Sequence, residues 1–262
     1  VPVLVSWGKR MIDVLITTYN RKDFLKRTLE SFFDMTRIPF RMFVIDDCSG
    51  DGTQGYLATL KHENLAAVIL SKQRNGVVYG FDQLWNLSDY FDSFHGENRY
   101  MCYLQDDLVS MEKDWLATIL DAYENLKDEH RIAFASGHDA IEHPIERWIL
   151  WNGRRVAVKR SQGATNLIAE KDFWRSIGYI PKNNPDGSVR GHPNGRRGSH
   201  IDLYLMGYMS GSRSVSEASA AKNSVKDQGK RILVFPEMLE HLGQIGVRST
   251  WRNGRDERRV AT

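Results

Sequence analysis

Val44-Ile45-Asp46-Asp47-Cys48-Ser49-Gly50-Asp51-Gly52-Thr53 is the stretch on which the fold turns. An apolar run beginning at Arg41 ends in two adjacent carboxylates, and a turn rich in Ser, Gly and Asp follows at once. A carboxylate pair closing a buried strand is costly unless it binds a cation or accepts hydrogen bonds. Taken alone, Asp46-Asp47 is equally well read as an Asx turn. Two other stretches repeat the pattern. Residues 12–17 read as a buried strand leading into Thr17-Thr18-Tyr19-Asn20-Arg21, and residues 100–104 run into Gln105-Asp106-Asp107. The second acidic pair stands a few residues too far ahead of the next helical pattern for ideal capping.

Working outward, helical patterns separate these runs. Residues 22–34 carry Phe24, Leu25, Leu29 and Phe32 on one face, and 53–60, 77–91 and 115–126 also read as helices. Further strands fall at 66–70 and 132–136. Strands alternating with helices imply βαβ units and a mainly parallel sheet. Ligands of such sheets bind beyond the carboxyl ends of the strands, so the three polar strand ends are expected to share a cleft. The second half is less regular. Residues 147–158 suggest a hairpin turning at Asn152-Gly153, and 166–177 a strand passing into a helix. A loop rich in Asn, Pro, Gly and Arg spans 182–199, a length usually functional or disordered in a compact domain. A helix is expected over 201–209, a polar segment over 210–230 and a last strand over 231–235.

Composition excludes several classes. The 262 residues, 41% hydrophobic and 26% charged, suffice for one sizeable core. A net charge of +3 gives no strong pull toward nucleic acid, and no nucleic-acid partner is expected. Residues 248–262 hold five arginines against Asp256 and Glu257, a local charge of +3. A solvated terminus is the plainer reading, and peripheral contact with a membrane or an anionic acceptor is the sharper one. Cys48 and Cys102 are too few for a disulfide scaffold, which points to a reduced, cytoplasmic setting. No apolar run reaches membrane-spanning length. The opening apolar residues precede Lys9 and Arg10 instead of following them, so they are not read as a secretion signal. Asn86-Leu87-Ser88 matches a glycosylation acceptor by chance, inside a helical pattern.

The ordered motifs resemble the large GT-A glycosyltransferase family that includes bacterial polysaccharide and O-antigen transferases. The resemblance rests on strand-Thr-Thr-Tyr-Asn-Arg, the Val44 to Thr53 stretch and Gln105-Asp106-Asp107. It continues through Gly163-Ala164-Thr165-Asn166-Leu167-Ile168, Asp202-Leu203-Tyr204-Leu205 and Glu240-His241-Leu242-Gly243, covering roughly residues 11–250. It implies an α/β GT-A fold, a single catalytic domain over 1–262, with a nucleotide-binding half at 11–107 and an acceptor-binding half at 108–262 that includes the 182–199 loop. The implied function is metal-dependent, inverting transfer of a sugar from a nucleoside-diphosphate sugar, UDP favoured, to a glycan or other hydroxyl acceptor.

The roles it implies can be matched to chemistry. Thr17, Thr18 and Tyr19 would line the base and ribose pocket, and Arg21 offers a planar fork to the donor diphosphate. Asp46 belongs to the donor site, and its neighbour Asp47 would accept the imide hydrogen of a uracil-like base. Arg74 would close over the nucleotide or remain a surface arginine. Asp106 would hold the ribose or a metal-bound water. Asp107 would ligate Mn²⁺ or Mg²⁺, ions that favour a few carboxylates plus substrate phosphate oxygens, with His241 as a further ligand. Asp202 is the candidate general base, although Ile201 stands where the family commonly has Glu. Competing enzymes fit less well. A sugar nucleotidyltransferase or a Rossmann dehydrogenase needs glycines after the first strand, and residues 17–23 contain none. The alternative is a catalytically weak GT-A-like module that binds carbohydrate or serves as a scaffold.

Overall fold

A computed structural model describes residues 11–96, 98–139, 143–160, 162, 165–176 and 230–242. The first half follows the expected alternation: β1 (Ile12–Thr18), α1 (Lys22–Met35), β2 (Phe40–Asp46), α2 (Thr53–Thr59), β3 (Leu65–Leu70), α3 (Val77–His95) and β4 (Tyr100–Gln105). There follow β5 (Leu108–Ser110), α4 (Trp115–His130), β6 (Ile132–Ser136), β7 (Ile145–Trp151), β8 (Arg154–Lys159), β9 (Asn166–Glu170), α5 (Lys171–Ser176), β10 (Arg231–Val234) and β11 (Leu239–His241). The hairpin turns at Asn152-Gly153 as its sequence implies, both residues at positive φ (45° and 81°). The expected loop at 182–199, the helix at 201–209 and the basic terminus lie outside the described residues.

Among the described residues, nine strands form one sheet in the order β3-β2-β1-β4-β9-β6-β10-β8-β7. From β3 to β4 every pairing is parallel. β9 runs antiparallel to both its neighbours, and β8 does the same between β10 and β7. Following the pairings, only these two of the nine oppose the rest, so the sheet is mostly parallel in direction. Its central strands are apolar almost throughout because both faces are covered. Ile12, Val14 and Ile16 pack with Leu25, Leu29, Phe32 and Trp115 of α1 and α4 on one face. Leu15, Phe43 and Met101 pack with Phe81, Trp85 and Trp174 of α3 and α5 on the other.

The chain steps outward from β1 to β2 to β3, then returns through α3 to place β4 on the other side of β1. Strand order therefore reverses between β1 and β4, and a crevice opens at their carboxyl ends. One element had no signal in the periodicity: β5 and β11 pair antiparallel as a separate two-stranded ribbon, His241 opposite Leu108 and Leu239 opposite Ser110. Strands of three residues are too short for a period to show.

Candidate active site

Asp106 and Asp107 follow β4 directly at that crevice, 5% and 1% exposed. They cap no helix: the chain turns through them into β5, and Leu242 donates its backbone N–H to the Asp107 carbonyl at 2.8 Å. Thr18, at the end of β1, donates from Oγ1 to Asp106 Oδ2 at 2.6 Å. Arg21 reaches across from the start of α1, and its Nη1 meets Asp106 Oδ1 at 3.2 Å and Asp107 Oδ2 at 2.7 Å. Residues 85 or more positions apart are thus joined by the parallel register of β1 and β4.

Electrostatics follow from the crowding. Burial pushes the Asp106 carboxyl up to about 6; Arg21 opposes the rise and neighbouring Asp107 adds to it. Burial pulls on the Arg21 guanidinium too, but the two carboxylates outweigh it and hold it more firmly protonated than usual. The remaining oxygen, Asp107 Oδ1, is buried without a hydrogen-bond donor, and His241 Nε2 lies 3.4 Å from it. β11 brings His241 there through its pairing with β5. His241 Nδ1 is likewise buried and unbonded, and the ring of His138 lies 5.4 Å away between centroids. An unbonded carboxylate oxygen facing an imidazole nitrogen fits two ligands of a divalent cation, because Mn²⁺ accepts both donor types. Among the described residues no group of three such side chains converges as a metal site, so a cation here would draw its other ligands from substrate and water.

The other acidic pair is built differently. Asp46 Oδ2 accepts from Ser49 N at 2.9 Å and Gln54 Nε2 at 2.8 Å, the Asx-type turn its sequence allows, while Oδ1 is buried and unbonded. Asp47 accepts backbone N–H groups with both oxygens, Asn75 at 2.7 Å and Gly76 at 2.8 Å, and so fixes the start of α3. Each of its oxygens keeps a second lone pair. The Arg74 guanidinium lies over the Tyr19 ring, its Cζ 3.9 Å from the ring centroid. Thr17 points its methyl at α3, where a Cβ on Gly80 would come within 3.2 Å of it. Asp202 lies outside the described residues.

Sequence reasoning passed over the residues that lock the strand-end turns together. Asn20, at φ 51°, donates its N–H to Ser49 Oγ at 2.8 Å and accepts from Gly50 N at 2.8 Å. Asp51 accepts from Lys22 N at 3.0 Å, supplying α1 with the cap its own Arg21 lacks. These residues lay inside the quoted motifs, but their partners are 29 or 30 positions away.

The model of glycosyl transferase family 2 matches residues 13–165. The teichuronic acid biosynthesis glycosyltransferase TuaG of Bacillus subtilis (strain 168), so assigned by name, is 24% identical over 105 residues, 40% of this chain and 38% of TuaG. The mannosyltransferase PcManGT of Pyrobaculum calidifontis, solved with GDP-Man and Mn²⁺, superposes on 88% of this chain and 56% of its own, at 14% identity and TM-score 0.54. S. aureus TarS 1-349 in complex with UDP covers 86% of this chain and 57% of its own, at 16% identity and TM-score 0.51. At these identities the superpositions establish a shared fold, that of GT-A glycosyltransferases. The chain matches little more than a third of TuaG.

Proposed function

The chain belongs to glycosyl transferase family 2, and from that premise we propose that it transfers a sugar from a nucleoside-diphosphate donor to a hydroxyl acceptor. The supporting observation is the meeting of Thr18, Arg21, Asp106, Asp107 and His241 at the strand-order reversal. Asp107 and His241 are the proposed holders of Mn²⁺ or Mg²⁺, which when bound supplies Lewis-acid neutralisation of charge on the departing diphosphate.

The chain's own residues do the rest. Arg21 engages both carboxylates through Nη1, and Nη2 and Nε offer a fork to phosphate oxygens from a half-exposed side chain. Asp106, held by Thr18, accepts a ribose hydroxyl. The Tyr19–Arg74 stack walls the base pocket, and Asp47, immobilised by its two amides, presents acceptor lone pairs to an imide hydrogen. Uridine is therefore the proposed base. Asp202 is the proposed general base, on the resemblance of its motif: it takes the acceptor hydroxyl proton as that oxygen attacks the anomeric carbon, with inversion.

Calorimetric titration of UDP and GDP with and without Mn²⁺ tests this reading. Metal-dependent binding that favours UDP, lost in Asp107→Ala, is expected. Absence of any metal-dependent binding overturns the enzyme and leaves a GT-A-like carbohydrate-binding or scaffolding module. For the base, Asp202→Asn should lower transfer by about a hundredfold or more while donor affinity holds. Near-normal transfer removes Asp202 as the base, and a product retaining the donor's anomeric configuration removes inversion.

A further inference from the structure

A groove of about 490 Å³ opens beside the crevice, lined by Met111, Glu112, Trp148, Arg154, Arg155 and Glu237 over a floor of Phe235 and Met238. Its position follows from topology. β8 pairs with β10 so that Val234, the last residue of β10, stands opposite Ala157. Arg154 and Arg155 therefore extend past the carboxyl end of β10, and the Asn152-Gly153 turn projects over the edge that carries the carboxylates. The ribbon of β5 and β11 connects the two places. Asp107 and His241 stand at one end of it, and at the other Met111 donates its N–H to the Met238 carbonyl at 2.9 Å. The three residues of β5 separate Asp107 from Met111, about 13 Å over four steps at the usual rise.

The lining has a definite chemistry. Trp148 is 43% exposed, and the Arg155 Cζ lies 4.4 Å from its ring centroid. The guanidinium braces one face of the indole, so the platform is held in place before anything binds. Arg154 and Glu112 form a two-point ion pair at the rim. The groove thus sets an aromatic plane beside both donors and acceptors, which suits a sugar ring: its C–H face stacks on indole, and each hydroxyl can donate and accept. Two arginines face two glutamates, so the lining has no net charge. A polyanionic acceptor would find no excess of cations here.

We propose that this groove is a binding subsite for an uncharged glycan, which lies on Trp148 and runs along the β5–β11 ribbon toward Asp107. That the glycan is an acceptor rests on the transferase reading above; that it binds does not.

The test probes an array of neutral and acidic oligosaccharides with the full chain, with Trp148→Ala and with Trp148→Phe. UDP titration with Mn²⁺ is run on the same preparations. Neutral oligosaccharides should be retained by the wild-type chain, about tenfold more weakly by Trp148→Ala, and in part by Trp148→Phe, whose ring still stacks. UDP binding should not change, because the partners shown for Trp148 among the described residues, Arg155 and the groove lining, include none of the donor-site residues. The proposal is overturned if no neutral oligosaccharide binds, if only acidic ones bind, or if binding survives Trp148→Ala. Trp148-dependent glycan binding in a chain that takes no nucleotide would uphold the subsite and overturn the transferase reading instead.

Discussion

Asp106 sits in a position that no isolated aspartate would tolerate, 5% exposed with a second carboxylate adjoining it. With its carboxyl raised to about 6 against an ordinary 3.8, the folded chain binds more protons than the unfolded chain between those values. Stability therefore falls as pH rises through that window and levels off above about 6. A bound cation favours the ionised form, so diamagnetic Mg²⁺ should shift the Asp106 titration to lower pH, seen by carboxyl-carbon NMR. An unmoved titration in saturating Mg²⁺ would place the ion elsewhere. Arg21 is the other residue whose contacts make a specific expectation. Its guanidinium already neutralises both carboxylates, so under the proposed function it would oppose metal in the absence of donor and grip the diphosphate in its presence. Arg21→Gln should bind Mn²⁺ alone more tightly and the Mn²⁺–UDP pair more weakly, by about tenfold for a charge-assisted pair lost. Two changes of the same sign in calorimetry would contradict this.

Among the elements, α3 depends most on a single distant residue. It starts at Gly76, with φ 90°, and has no side-chain cap of its own. Asp47, just past the end of β2, instead holds the turn that leads into it by accepting from Asn75 and Gly76. Asp47→Ala should cost about 1–3 kcal/mol in denaturant unfolding without any nucleotide, the usual penalty of leaving backbone N–H groups unpaired in the fold. A role confined to base recognition would leave that midpoint unmoved and appear only in UDP affinity. Packing of α3 on the sheet is equally local. A Cβ on Gly80 would meet Ile45 Cγ2 at 3.1 Å and Thr17 Cγ2 at 3.2 Å. Gly80→Ala should therefore lift α3 away from the strand ends and destabilise the fold by about 1 kcal/mol or more. Equal or greater stability in the variant would show that the helix can shift at little cost.

Across the whole molecule, the two edges of the sheet do different work. The carboxyl edge gathers the candidate site, while the opposite edge is tied by a buried ionic cluster. There Asp13 accepts from Arg41 Nε at 2.7 Å and from Asn98 Nδ2 at 2.6 Å, and Lys171 Nζ lies 2.7 Å from it. Asp92 closes the cluster, 2.5 Å from both cations. Ser88, the last residue of the apparent glycosylation triplet, is buried here and donates to Asp13. Burial works against ionisation of Asp13, but Arg41 and Lys171 outweigh it and hold its carboxyl below the ordinary range. Its contribution to stability is thus full above an ordinary carboxyl pKa and is lost as pH falls through the lowered one. Lys171→Met leaves an uncompensated buried carboxylate and should cost about 3–5 kcal/mol. Because the cluster lies at the far edge, UDP binding per folded molecule should be unaffected. A loss of binding greater than the loss of fold would show that the two edges are coupled.

The amino-acid sequence by itself determined the alternation of strands and helices through β6, the hairpin turning at Asn152-Gly153, and the polar strand ends that mark the binding edge. Those properties are local: apolar period, turn chemistry and the cost of ending a buried strand in carboxylates all act within a few residues. It also carried the ordered motifs that resemble GT-A transferases, a resemblance the family match bears out. Only the tertiary structure decided how the two acidic pairs divide their work. Both read alike along the chain, yet β4 places Asp106 and Asp107 against Arg21 and His241, while β2 places Asp47 under the amides of the turn before α3. The ribbon of β5 and β11, the bracing of Trp148 by Arg155 and the ionic cluster at the far edge were likewise invisible beforehand. Each depends on partners brought together by strand register or by packing across the sheet, and neither periodicity nor composition carries information about which distant residue becomes a neighbour.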